Sequence, residues 1–460
     1  MTGGGPGSAM VRDRNEFNSL IEEAGVCFVK YPVSGVYPYL PAGARMLFRL
    51  RERLERLLEE RGYEPILFPS LIPLTLFKRE IDFFKGFSPE ALLAERTLSG
   101  RVLDEPLVLR PTSEVPIYYV FSQIINSWQQ LPLKVYQTVV VYRTETKATA
   151  PLFRLREVTG FNEAHALARD AEEAREVFGE AMRIYSQFLE SLGIPFLIVE
   201  SPPWDLFPGA VRNVDYVTIV PDGKLVELAS VIDLGDKFAK AFEITYQDRD
   251  GRNKFVRQVT YGIGLDRILG TLLWLAADGR GLAIHPDVAP THAAVIPIYY
   301  GREGLEGIMR FVDNVVAPAL KDLGLKYVVD LRERTPGYKY YYWERVGVPL
   351  RIEVGGKEVE RGAVTVFRRD SLTRSEVRAE ALREELRKIL DEVREGLAAR
   401  MRGRAEELLR ENTLLLDMEL DRGECLRVEE ERGLSTMGVV IEAHGLPRDA
   451  VGKVLFGRKY

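Results

Sequence analysis

The stretch from Lys134 to Glu163 constrains the fold most tightly. Residues 134–145 contain Val139-Val-Val-Tyr142, and β-branched and aromatic residues of this kind suit a pleated, half-buried surface. A polar loop at 146–150 separates them from residues 153–163, which read as a second strand. A connection this short makes a hairpin, because parallel neighbours need a crossover of about a dozen residues or more. The hairpin carries arginines on both arms, at Arg143, Arg154 and Arg156.

Helical patterns surround it. Residues 43–61 place Leu47, Leu50, Leu54, Leu57 and Leu58 on one stripe, with Gly62 as the stop, and residues 171–192 form a second amphipathic helix. Residues 65–69 read as extended and buried. Residues 255–262 read as a strand feeding a helix at 265–275. Beyond residue 290 short strands and helices alternate, as in a small sheet covered by helices. Residues 375–411, rich in Glu, Arg, Leu and Ala, read as a charged, solvated helix.

The expected fold class is α/β in the α+β sense: an antiparallel sheet flanked by helices, then a small α/β domain and a short C-terminal α/β extension. The expected division is a disordered Gly-rich tail at 1–16, a main domain at 17–287, a second at 288–374, and a helix with a small extension at 375–460. A chain of 460 residues accommodates two or three domains of ~100–200 residues each.

Composition excludes several classes. No run reaches the ~18 apolar residues of a membrane helix, so no membrane partner is expected and a cytoplasmic enzyme is the default. A net charge of −5 gives no global attraction to nucleic acid, so RNA would need a local basic surface. Cys27 and Cys425 can form neither a disulfide framework nor a four-cysteine zinc site; no zinc is expected.

Three segments carry chemistry. Val141-Tyr-Arg143-Thr-Glu145 and Phe153-Arg154-Leu-Arg156-Glu157 could surround a polyphosphate, since the planar guanidinium binds two oxygens at once. Plain cross-strand Arg–Glu pairs are the blander alternative. Tyr261-Gly-Ile-Gly-Leu-Asp-Arg267 joins a strand to a helix, whose N-terminus favours anions. A dinucleotide fingerprint fails there, because Arg267 stands where a third glycine belongs. Leu109-Arg-Pro-Thr112-Ser-Glu114 sets a hydroxyl and a carboxylate two residues apart, fit to accept from an ammonium group, or else to cap a helix.

Together these segments resemble class II aminoacyl-tRNA synthetases, with the helix leading to Pro69, the arginine hairpin and Gly262–Arg267 similar to their three motifs. The match is closest to archaeal prolyl-tRNA synthetases. Arg110-Pro-Thr-Ser-Glu114, Phe161-Asn-Glu163-Ala-His165, Pro202-Pro-Trp-Asp-Leu-Phe-Pro208, residues 234–242 and Thr335-Pro-Gly-Tyr-Lys-Tyr340 all look like members of that group.

The resemblance implies ligation of proline to tRNA(Pro) through a prolyl-adenylate, by a homodimer. Arg143 would bind the α-phosphate of ATP and the proline carboxylate, and Arg267 the γ-phosphate and adenine. Arg154 and Glu145 would contact ATP. Thr112 and Glu114 would accept from the proline ammonium, while Phe161, Glu163 and His165 shape the pocket. Magnesium is expected with ATP, with Glu145 and Glu227 as candidate ligands. Residues 290–370 would read the anticodon, with Arg345, Arg351, Lys357, Arg368 and Arg369 as candidate RNA contacts.

Some positions depart from the family. Ser230-Val-Ile232 stands where a Thr-x-His element is usual, and Ala150 precedes Pro151 where an arginine is common. Only about a hundred residues separate His165 from Gly262, too few for an inserted editing domain of bacterial size. A catalytically impaired RNA-binding paralogue and a synthetase for another small amino acid are the alternatives.

Overall fold

The computed structural model describes residues 9–87, 89–144, 148–299 and 301–460, apart from the side chains of residues 81, 82 and 301–303. A ten-stranded sheet forms the centre. Its order is Glu64–Pro65, Leu133–Tyr142, Glu157–Ala168, Arg257–Gly264, Leu225–Gly235, Arg212–Ile219, Phe196–Glu200, Ser435–His444, Val454–Gly457 and Leu414–Leu416. The first pair is parallel, and the neighbours after it are antiparallel. Helices Pro41–Glu59, Ala171–Ser191 and Leu265–Ala276 pack together on this sheet. Their buried leucines and aromatics, with Tyr216 and Tyr261 of the sheet, make one continuous core. The expected α+β architecture is the one observed.

A second sheet runs Tyr327–Val329, Ala293–Ile298, Leu350–Gly355, Ala363–Arg368, Arg374–Arg378, parallel over its first three strands and antiparallel after. The strand Arg374–Arg378 corrects the sequence reading, which ran the charged helix from residue 375; the helix is Leu382–Asn412. Backbone pairing with Ala363–Arg368 claims those residues despite their polar composition.

Three further expectations change. Of the supposed disordered tail, residues 1–8 lie outside the described residues, but residues 9–16 are ordered. Val11 is buried and its carbonyl accepts from Trp274 Nε1 at 2.8 Å, Met10 pairs with Asp278, and Asp13 caps the helix Arg14–Glu23. Burial of Val11 and Phe17, the latter stacked on Trp274 at 4.8 Å, offsets the ordering entropy that a Gly-rich tail would otherwise keep. Residues 65–69 are not buried: Leu67 is 85% exposed. The C-terminal extension is no appendage, because its three strands complete the main sheet beside Phe196–Glu200.

Candidate active site

The pleat of the main sheet arranges the site. Phe161, Glu163 and His165 alternate on one face of Glu157–Ala168, with Gly264, Gly262 and Thr260 directly opposite them. Gly262 in turn faces Ser230, and Thr260 faces Ile232. On the other flank Gln137 pairs with Glu163, and beyond Ser230 lies Asp215. One row of side chains thus crosses five strands: Gln137, Glu163, Gly262, Ser230, Asp215. A Cβ on Gly262 would sit 2.8 Å from the Phe161 ring, so glycine lets that ring lie across the sheet.

This floor opens into a cavity with an empty volume of about 960 Å³, lined by Thr112, Glu114, Arg143, Phe161, Glu163, Glu227 and Arg267 among others. Its two ends carry opposite charge.

At the cationic end Arg143 lies with its guanidinium 5.3 Å from the Phe161 ring centroid and its Nε donating to the Pro111 carbonyl at 3.1 Å. Arg267 donates from Nε to the Phe153 carbonyl (3.1 Å) and from Nη1 to the Glu227 carbonyl (2.7 Å). Among the described residues neither guanidinium forms an ion pair with a carboxylate. Burial and then the nearby Arg267 lower the Arg143 pKa, while Glu90, Glu227 and Glu114 oppose them. Two mutually repelling cations held by carbonyls need an anion between them.

At the anionic end Glu114 and Glu163 are 3% and 1% exposed. Glu163 accepts from Ser113 N (3.1 Å) and Gln137 Nε2 (2.8 Å). The Thr112 hydroxyl lies 2.7 Å from Glu114 Oε2 and 3.1 Å from Glu163 Oε2. Thr112 does not cap the helix Glu114–Ile124; Ser113 occupies that position without a side-chain cap bond. Burial, and then the charge of Glu163, push the Glu114 carboxyl up to about 7. Such a pair calls for a cation.

Not every expected residue lines the cavity. His165 lies behind it, 3.9 Å from Glu163 and 3.2 Å from Thr260 Oγ1, and burial pushes its pKa down to about 4, leaving the ring neutral. Arg154 is not on a strand: the chain turns at Pro151 and Leu152 (φ 67°), and the strand begins only at Glu157. Arg154 instead sits close enough to Lys224 and Tyr460 to influence both. Glu145 lies outside the described residues. Glu227 lines the cavity, its carboxylate 3.1 Å from the Ser230 hydroxyl, which also donates to Asp215 at 2.6 Å.

Sequence reading missed Thr260, Gln137, Asp215 and Phe87. Gln137 had a signal, as a polar interruption of an apolar strand; Phe87 had none, because a distant helix brings it in. The RNA-contact candidates fare poorly. Arg351 and Arg369 are 1% exposed, Arg368 pairs with Asp370 and Arg345 with Glu23. Interior carboxylates claim Arg351 and Arg369; Lys357 is exposed.

An antiparallel sheet flooring a cavity lined by two arginines, followed by a small mixed sheet, is the arrangement of a class II aminoacyl-tRNA synthetase. Residues 97–274 match the tRNA synthetase class II core domain (G, H, P, S and T), and residues 292–389 match the anticodon binding domain. The chain is 42% identical over 400 residues to the proline–tRNA ligase of Methanopyrus kandleri, covering 86% of this chain and 81% of that one. It is 38% identical to that of Ignicoccus hospitalis, covering 93% and 92%. The chain belongs to the proline–tRNA ligase family. The structure also superposes on Giardia lamblia prolyl-tRNA synthetase in complex with prolyl-adenylate, with a TM-score of 0.90 at 26% identity, covering 98% of this chain and all of that one.

Proposed function

We propose that this cavity joins proline to ATP and then passes the prolyl group to tRNA(Pro). The observation that carries the reading is the polarity of the cavity: two guanidiniums that pair with no carboxylate among the described residues share it with two buried carboxyls and an apolar wall of Phe87, Phe161, Phe207 and Ile232. An α-amino acid has the matching polarity. The ammonium of proline donates to Glu114 and Thr112, its ring rests on the apolar wall, and its carboxylate points to Arg143.

In the first step a carboxylate oxygen of proline bonds to the α-phosphorus of ATP, and the bond to pyrophosphate breaks. Arg143 and Arg267 offset the repulsion of the two anions and the charge gathering on phosphorus. In the second step a terminal ribose hydroxyl of the tRNA takes the prolyl carbonyl and AMP leaves. Positioning does much of the work, so no side chain serves as nucleophile. Magnesium bound with ATP would neutralise phosphate charge, and Glu227, exposed at the mouth, would supply a carboxylate toward it. A role for Glu145 beside it follows from the resemblance alone.

Pyrophosphate exchange, run with each amino acid in turn, tests the reading. Proline is expected to support it and the other amino acids not; exchange driven by a different amino acid, or by none, rejects it. In the same assay Glu227→Gln is expected to raise the magnesium needed for half-maximal rate by roughly tenfold. An unchanged requirement removes Glu227 from the metal's surroundings.

A homodimer fits the exposed apolar residues Leu67, Leu71 and Leu92, on or beside a three-stranded sheet Leu71–Pro73, Val102–Leu109, Leu92–Arg96, in which Leu71 and Leu92 flank Leu109. Patches of this kind mark association sites. Sedimentation equilibrium is expected to give twice the chain mass, and Leu67→Lys to shift it toward the single chain. A monomeric parent excludes this assembly. Among the described residues no helix is long and apolar enough to cross a membrane. Because the proposed reaction serves translation, the proposed location is the cytoplasm.

A further inference from the structure

One of the candidate RNA contacts, Arg369, is instead drawn with Arg400 to a buried acid outside the cavity, Asp278. Asp278 is fully buried and follows directly on the helix Leu265–Ala276, whose first turn carries Arg267. Arg369, from the end of a second-domain strand, grips it with both terminal nitrogens, at 2.8 and 2.6 Å. Arg400, from the helix Leu382–Asn412, reaches the same carboxylate at 3.2 Å and the Ala276 carbonyl at 3.0 Å. Arg404 donates to the carbonyls of Leu275 and Ala277 at 2.7 and 2.6 Å. These are carbonyls that a helix end leaves without partners. The Arg267 helix, 12 residues and hence about 18 Å long, therefore has the cavity at one end and the clamp at the other.

A second acid braces the same connection. Asp287 accepts from Arg53 of the helix Pro41–Glu59 at 3.0 Å and from Arg394 of the long helix at 2.8 Å. Between the two acids the linker lies backbone to backbone on the second domain: Leu282 N donates to the Arg345 carbonyl and Ile284 N to the Gly347 carbonyl, each at 3.1 Å. A Cβ on Gly281 (φ 141°) would come within 2.3 Å of the Arg345 carbonyl oxygen. Such an arrangement leaves little freedom for one domain to rotate on the other.

We infer that Asp278 and Arg369, braced by Arg400 and Arg404, are positioning residues that hold the anticodon-binding domain in register with the cavity. The inference rests on the proposed reading of that cavity. A tRNA bound at both domains spans them, so a small rotation at the linker becomes a large displacement of the acceptor end. Adenylate formation uses the cavity alone and does not feel it. Arg369 is too buried to touch RNA itself.

The test is Arg369→Met, which removes the bidentate partner and leaves Asp278 with Arg400 and the Arg280 amide. Expected are proline-dependent pyrophosphate exchange within about twofold of the parent and a kcat/KM for tRNA in charging lowered about tenfold or more. The KM values for proline and ATP stay unchanged. Asp287→Asn, at a partly exposed site, is expected to split the two assays the same way by about threefold, and decides the matter where Arg369→Met does not fold. Charging that keeps its parental rate, or exchange that falls in step with charging, overturns the inference. A parent that gives no exchange with proline instead overturns the reading of the cavity.

Discussion

Arg143→Ala is expected to lower kcat/KM for proline-dependent pyrophosphate exchange by about 100- to 1,000-fold, or ~2.7–4 kcal/mol, the usual cost of one lost group that stabilises transition-state charge. In the proposed reading the residue lies where the amino-acid carboxylate and the α-phosphate meet, with its Nε tied to Pro111 and its guanidinium near the Phe161 ring. The side chain is therefore held in place before substrate arrives. Arg143→Lys is expected to recover little, because an ammonium is a point charge that cannot hold two oxygens in a plane. The loss should appear in kcat as well as KM, since the charge it meets grows along the reaction coordinate. Exchange within about threefold of the parent would put this guanidinium outside the chemistry.

Glu114→Gln is expected to raise the KM for proline by roughly thirty- to a hundredfold, about 2–3 kcal/mol for a lost hydrogen bond to a charged group. It should also change the pH profile. In the free protein burial and Glu163 hold the Glu114 carboxyl up to about 7, above its ordinary 4.5. Below about pH 7 it is protonated and accepts the proline ammonium poorly, so parental KM for proline falls as pH rises through that value. The glutamine variant should lose this dependence. Stability moves the other way. A raised folded-state pKa means stability is fully present below about 4.5 and is lost as pH rises through about 7. At about pH 8, then, the variant without this ionisation should melt higher than the parent while binding proline worse. A proline KM flat across this range in the parent would exclude Glu114 as the ammonium's partner.

The substitution of Ser230-Val-Ile232 for the family's Thr-x-His is resolved by strand register. Ile232 faces Thr260 and joins the apolar wall, and Ser230 links Asp215 to Glu227. In the proposed reading the position that lost a histidine thus gives the proline ring an apolar neighbour, and the ammonium is left to Glu114 and Thr112.

Much of this was legible in the chain. The alternation of Phe161, Glu163 and His165, the order of the three motifs and the polar character of Thr112 and Glu114 are local properties, and local properties survive without knowledge of the fold. Side-chain direction was less legible. Arg143, Arg154, Arg267 and Arg369 are the same residue type in similar surroundings. Two face the cavity, one is turned aside at Pro151 and Leu152, and one is spent on an acid 91 residues away in sequence. The sequence by itself determined which groups were available and the period on which each strand presents them. Tertiary structure decided which arginines stay free, because the burial that neutralises a guanidinium depends on carboxylates and carbonyls brought from distant elements.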